Sequence, residues 1–322
     1  MNWRFLKEPL WRGGMASFIV PTMALEIESD FVVGARFDSS TRPPRRLARL
    51  GVRGLKRDAL QPLPNRPNIA DSGEVQRAIR EVTDIVGNGG GRLGLLIPDG
   101  AVRVAILAFE TLPDDRSEAE SLVLWRMAET LPFAAAEARL SYQVMRREPG
   151  GVELLAVAAK GSVLAEYEGA LEPMNGGPAL ILPATIALLP LLPEKGQAGQ
   201  LLLHVCSGWM TAVVVVGSRV RYWRNRDLGQ TAADELGREV AAEAGRVLAS
   251  SQDHFQVAIE RVWLCARPLP NQQLRAEVAR SIGQEVEFLA LGENLAATLA
   301  GEERILFAQF GAPLAGLVSN SR

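Results

Sequence analysis

Two stretches of this chain are versions of one hairpin: Ala24–Asp38, ALEIESDFVVGARFD, and Leu201–Gly217, LLLHVCSGWMTAVVVVG. In each, an apolar strand meets a short polar turn and a second apolar strand follows. The repeat predicts two related α/β lobes facing each other, and 322 residues are enough to give each lobe a core. The expected division is a tail at 1–16, a first lobe at 17–178 and a second lobe at 179–322, with a small α+β subdomain inserted into the first at about 93–160.

The segments between the hairpins alternate strand and helix. Ser17–Val20 is strand material. Asp71 or Ser72 opens an amphipathic helix with Val75, Ile79, Val82 and Val86 on one face, ended by the glycines of Gly87–Gly91. Leu93–Ile97 and Val102–Leu107 read as strands around a Pro98-Asp99-Gly100 turn. Ser117–Leu131 reads as a helix capped by Ser117, with Glu120 three places on as in a capping box, and Pro132 stops it. Arg139–Arg147 and Val152–Ala158 alternate as an antiparallel pair, and a helix follows over Ser162–Leu171. The second lobe is expected to begin with a buried strand from Ala179 to Leu182, then a helix opened by Pro183. After the second hairpin come a strand at Arg219–Arg224, helices at Thr231–Ser250 and Asn271–Ile282, and a helical region at Glu293–Leu299.

Composition narrows the function. With 48% hydrophobic and 22% charged residues the chain is an ordinary globular one, and a net charge of −2 gives no reason to expect nucleic acid. Cys206 and Cys265 lie far apart in apolar strands, which suits buried inert thiols in a reducing compartment. No apolar run is long enough to span a membrane. The basic run Arg42–Arg57 reads as a solvated strand pair and loop, and the aromatic and basic residues before Gly13 as a tail or strap. His204 reads as a hydrogen-bonded core histidine, and no His/Cys/Asp cluster has metal-ligand spacing. No Gly-x-Ser-x-Gly elbow occurs, and Asp114-Asp115 suit a helix N-terminus better than a catalytic pair. Neither a catalytic residue nor a metal site is expected.

The segment Ile97–Val144 resembles the middle of PilM, the actin-like assembly protein of type IV pili. The shared features are a strand–turn–strand, a helix ending in Leu131-Pro132-Phe133, and a following strand with Tyr142-Gln143-Val144. The order of elements extends the resemblance over Ala24 to Leu317, and the cytoplasmic part of the type II secretion protein GspL is similar in the same way. The resemblance implies an actin-like (ribonuclease H-like) two-lobe α/β fold in the cytoplasm, peripheral to the inner membrane. It also implies docking of the short cytoplasmic tail of a PilN-like membrane protein, with a PilO-like protein and motor ATPases as indirect partners. Membrane contact is then indirect, or made by the tail.

Members of that fold hold ATP phosphates between the two hairpins, using a carboxylate for Mg²⁺ and glycines that let backbone N–H groups approach. Here the first motif is Glu26-Ile27-Glu28-Ser29 and the second is His204-Val205-Cys206 with Thr211 beyond. The adenosine-side glycine pair is replaced by Cys265-Ala266-Arg267-Pro268. Glu28 sets a negative charge against phosphate, and Arg267, lying on the adenosine side, is not expected to compensate it. Glu26, Ser29, Ser207, Gly208 and Thr211 remain as a degenerate nucleotide-binding set, so the expectation is a pseudo-ATPase adaptor without cofactor. The alternative is a working actin-like ATPase or kinase with Glu26 on the metal side and Thr211 on the phosphate side.

Overall fold

The computed structural model describes residues 21–38, 46–87, 91–174, 177–193, 198–206, 208–229, 231, 233–255, 257–268, 271–292 and 295–319. The tail at 1–16, the strand expected at Ser17–Val20, residues 42–45 of the basic run and residues 88–90 of the glycine run lie outside these.

The first hairpin forms as expected from β1 (Met23–Ile27) and β2 (Phe31–Phe37), and β3 (Leu47–Gly54) extends it antiparallel. Helix α1 (Ser72–Val86) is capped by Asp71, which accepts from the Glu74 N–H, and it lays Val75, Ile79, Val82 and Val86 on the sheet. Each such side chain contributes about 1.5–3 kcal/mol when fully buried. Next comes β4 (Leu93–Ile97), which runs parallel to β1.

The chain then leaves the lobe. Strands β5 (Val102–Phe109), β6 (Ala138–Glu148) and β7 (Gly151–Lys160) make a separate antiparallel sheet in the order β5-β7-β6. Helix α2 (Arg116–Met127) covers it, burying Val123 and Met127. The α2 cap differs from expectation. Asp115, not Ser117, accepts from the Glu118 N–H at 2.9 Å, so the helix starts earlier and the acidic pair supplies the cap itself. Asp115→Ala should cost the subdomain about 1 kcal/mol in thermal unfolding, while Ser117→Ala changes little. Equal losses would contradict this assignment.

Helix α3 (Gly161–Ala170) returns to β8 (Leu180–Pro183), and here a second expectation fails. This strand does not open the second lobe. It pairs parallel with β4, Leu95 facing Ile181, because the insert only lengthens a β4–α3–β8 crossover. A short helix, α4 (Ala184–Leu188), then leads across.

The second lobe repeats the first without the insert. Its elements are β9 (Gly199–Cys206), β10 (Trp209–Val216), β11 (Arg219–Asp227), α5 (Ala233–Phe255), β12 (Ile259–Ala266), α6 (Gln272–Ile282) and β13 (Val286–Phe288). Sheet orders β3-β2-β1-β4-β8 and β11-β10-β9-β12-β13 match strand for strand, in pairing direction as well. The central strands β1 and β9 are buried along their whole length, as strands covered on both faces are.

Residues 295–298 form turns rather than the expected helix. The Leu295 carbonyl accepts from the Leu47 N–H at 2.9 Å, fixing the start of β3. Helices α7 (Gly301–Phe310) and α8 (Ala312–Ser319) then pack back on the first lobe, α7 along β3 and α8 on α4. Among the described residues, no helix is long and apolar enough to cross a membrane.

Candidate functional site

A cleft of about 880 Å³ lies between the lobes, where the β1–β2 and β9–β10 turns approach each other. Its first-lobe wall is the β3–α1 connection, shaped by the buried Asn68. The Asn68 amide donates to the carbonyls of Leu63 at 2.6 Å and Arg66 at 2.7 Å, while its oxygen accepts from Tyr167 Oη at 3.1 Å. The second-lobe wall carries Gly208, Leu228, Ala266 and Pro268. Gly208 has a φ of +76°, a left-handed turn position where any side chain is strained.

The floor of the cleft is filled by the protein itself. Arg267, just past β12, crosses to the first hairpin and places Nη1 2.6 Å from Glu26 Oε1 and Nη2 3.4 Å from Glu28 Oε1. Its side chain has no solvent exposure, and its guanidinium lies 5.2 Å from the centre of the Phe31 ring. Nη2 also reaches His204 Nε2 at 3.0 Å and Cys206 Sγ at 3.1 Å. The expectation that Arg267 would not meet these carboxylates is therefore overturned: in three dimensions the end of β12 adjoins the end of β9, and the side chain spans the lobes.

Behind Arg267 a second set of bonds leads to Asp99. The Thr185 hydroxyl donates to Asp99 Oδ2 and the Thr185 N–H to Oδ1 at 3.0 Å. Thr211 Oγ1 donates to Oδ2 at 2.7 Å and accepts from Asn225 Nδ2 at 2.9 Å. Thr185 has one hydroxyl proton and gives it to the carboxylate, so it must accept from His204 Nδ1, 2.7 Å away. His204 Nε2 is then the acceptor that Arg267 needs. The imidazole is neutral with its proton on Nδ1, which agrees with a pKa pushed down by burial and by the Arg267 charge against the pull of Asp99. Burial raises Asp99, but the hydrogen bonds from His204, Thr185 and Thr211 outweigh it and hold the carboxyl below its ordinary range.

The carboxylates around Arg267 behave differently. Burial lifts Glu26, with Arg267 pulling back, and lifts Glu28 well above the usual range. Glu28 therefore holds its proton to a higher pH than a surface glutamate does. The space between the two hairpin turns is taken up by the Arg267 guanidinium.

The expected nucleotide set separates accordingly. Ser29 and Gly208 line the cleft, whereas Glu26 and Thr211 lie in the floor network, and Ser207 is outside the described residues. His204 is the core histidine it was expected to be, and both cysteines are buried. Among the described residues no metal-ligating cluster exists. Asp99, which the sequence marks only as a turn residue, accepts from Thr185 and Thr211 in the floor. Arg267 and Asp99 leave one sequence signal: charges just past the apolar, buried ends of β12 and β4, which burial permits only when opposite partners meet them.

The two shifted groups oppose each other in pH dependence. His204 has a depressed folded pKa, so its contribution to stability is complete above its ordinary value and is lost as pH falls through the folded value. Glu28 has a raised folded pKa, so its contribution is present at low pH and lost as pH rises through that value. Glu28→Gln removes the second effect. Melting temperature should then fall more steeply than wild type on acidification from about pH 7.5 to 5.5. Parallel pH profiles for the two proteins would contradict the assignment.

Two matched lobes of this topology, an insert leaving after β4 and a cleft between paired hairpins define an actin-like fold. Among solved structures, a PilM–PilN type IV pilus biogenesis complex matches over 94% of this chain and 99% of the other, with TM-score 0.74 and 18% identity. A Bacteroides thetaiotaomicron protein with an actin-like ATPase fold matches over 85% and 94%, with TM-score 0.52 and 11% identity. The cytoplasmic domain of EpsL, an inner-membrane component of the Vibrio cholerae type II secretion system, aligns with TM-score 0.45 and 10% identity over 77% and 83%, too distant to weigh. No protein-family profile and no curated protein matches the sequence.

Proposed function

We propose that this chain is a cytoplasmic adaptor of a type IV pilus assembly platform that docks the cytoplasmic tail of a PilN-like inner-membrane protein and works without nucleotide. The observation that carries this reading is Arg267, which occupies the phosphate cradle of an otherwise complete actin-like body. The end-to-end likeness to the PilM–PilN complex supports the partner class. In this reading the protein is a pseudo-ATPase scaffold, peripheral to the inner membrane, with a PilO-like protein and motor ATPases as indirect partners and no cofactor.

The test is a calorimetric titration with a synthetic peptide copying the cytoplasmic tail of the one-span protein encoded beside this gene. Saturable binding, unchanged by Mg²⁺ and ATP, is expected. Absence of such a neighbour, or a flat titration, contradicts the adaptor reading, and preference for a type II secretion tail would move the chain to a GspL-like role. A working ATPase or kinase is the second reading, favoured by the open space that Ser29 and Gly208 still line.

A further inference from the structure

We propose that Arg267 and Asp99, joined through His204 and Thr185, form an interlobe latch that keeps the two lobes closed with nothing bound between them. The latch is independent of which partner the protein serves. Glu26, Glu28 and Asp99 come from the first lobe, while Arg267, His204 and Thr211 come from the second. Every one of these groups is buried, and each finds its counter-group across the lobe boundary.

The chain of contacts is continuous. It runs from Glu26 to Arg267 at 2.6 Å, to His204 at 3.0 Å, to Thr185 at 2.7 Å and on to Asp99, which takes the Thr211 hydroxyl at 2.7 Å. Three buried carboxyl groups facing a bare second lobe would lack partners there and draw water. Arg267 supplies the positive centre between them, so closing the lobes needs no outside cation. Thr185 sits on α4, the element between the lobes, and its N–H is one of the donors that the first turn of a helix leaves unpaired. Asp99 satisfies it from the end of β4, where the insert departs. The latch thus ties first lobe, second lobe and connector at one point.

A second strap lies on the outer side. Glu153 of the inserted sheet meets Arg221 at 3.2 Å and Arg219 at 3.4 Å, both on β11. These groups are partly exposed and contribute less than the buried set. The prediction therefore rests on Arg267.

The experiment measures the lobe separation directly. Spin labels go on Asn65→Cys and Gln273→Cys, exposed positions beside cleft residues Arg66 and Leu274; native Cys206 and Cys265 are buried and out of reach of the label. Without ligand, the wild-type background should give one narrow distance, unchanged by Mg²⁺ and ATP. Arg267→Ala, shown folded by circular dichroism, should give a longer and broader distribution. If Arg267→Ala does not fold, Glu26→Gln with Glu28→Gln carries the same reading, since it keeps the shape of the site and removes both carboxyl partners of the arginine. A narrow, unshifted distance in the folded variant would overturn the latch. A wild-type distance that is already broad would overturn it too. The tail titration and this measurement can fail independently of each other.

Discussion

Arg267→Ala is expected to destabilise the protein by about 3–5 kcal/mol, the usual penalty for removing one partner of a buried ion pair. The reason is what it leaves behind. Glu26 is fully buried and Arg267 is its only ion-pair partner among the described residues, so truncation strands a carboxylate in an apolar strand. His204 Nε2 loses its donor at the same time. Urea unfolding should show an earlier transition. The triple variant Arg267→Met, Glu26→Gln, Glu28→Gln should recover most of the loss, because well-packed neutral groups replace buried charges at little net cost. If Arg267→Ala alone leaves the midpoint unchanged, the pair is not formed in solution.

Gly316→Ala is expected to be the second most damaging single change, although alanine is the better helix former by about 1 kcal/mol. Gly316 lies on α8 against α4, and a Cβ there would stand 1.7 Å from the Ala187 carbonyl oxygen and 2.8 Å from its carbon. That neighbour is backbone and has no rotamer to escape into. Helix α8 must shift, and with it Leu314, Leu317 and Val318, which close the first-lobe core. Steric cost wins over propensity, and a loss of about 3 kcal/mol follows. Gly245→Ala in α5 is the control. Beyond its own turn of helix no atom lies within 4 Å of its Cβ position, so the same substitution should be stabilising by roughly 0.5–1 kcal/mol. Matched effects at the two glycines would contradict the close α4–α8 contact.

What the sequence made legible follows from the range of each interaction. The hairpins, the valine face of α1 and the two-lobe repeat are local patterns, and they appear where periodicity and turn chemistry place them. The α2 cap lies two residues before the expected one because Asp115 and Ser117 are both good caps and only the backbone path chooses between them. The sequence sets β8 beside the second lobe because its partner β4 lies on the far side of the insert. The floor of the site was hardest to see. Arg267 and Glu28 are 239 residues apart, and no local pattern announces a side chain crossing from one repeat to the other. Motif by motif, the sequence shows only which residues stand in each turn. Only the folded chain shows that one substituted position neutralises the others.

The most direct test of the central claim is calorimetry of the wild-type protein with ATP in the presence of Mg²⁺. A cradle already holding the Arg267 guanidinium predicts no measurable heat of binding and no rise in melting temperature. Low-micromolar binding that disappears in Glu26→Ala would contradict it, showing that arginine and glutamate part to admit the nucleotide and that the cleft is a working site.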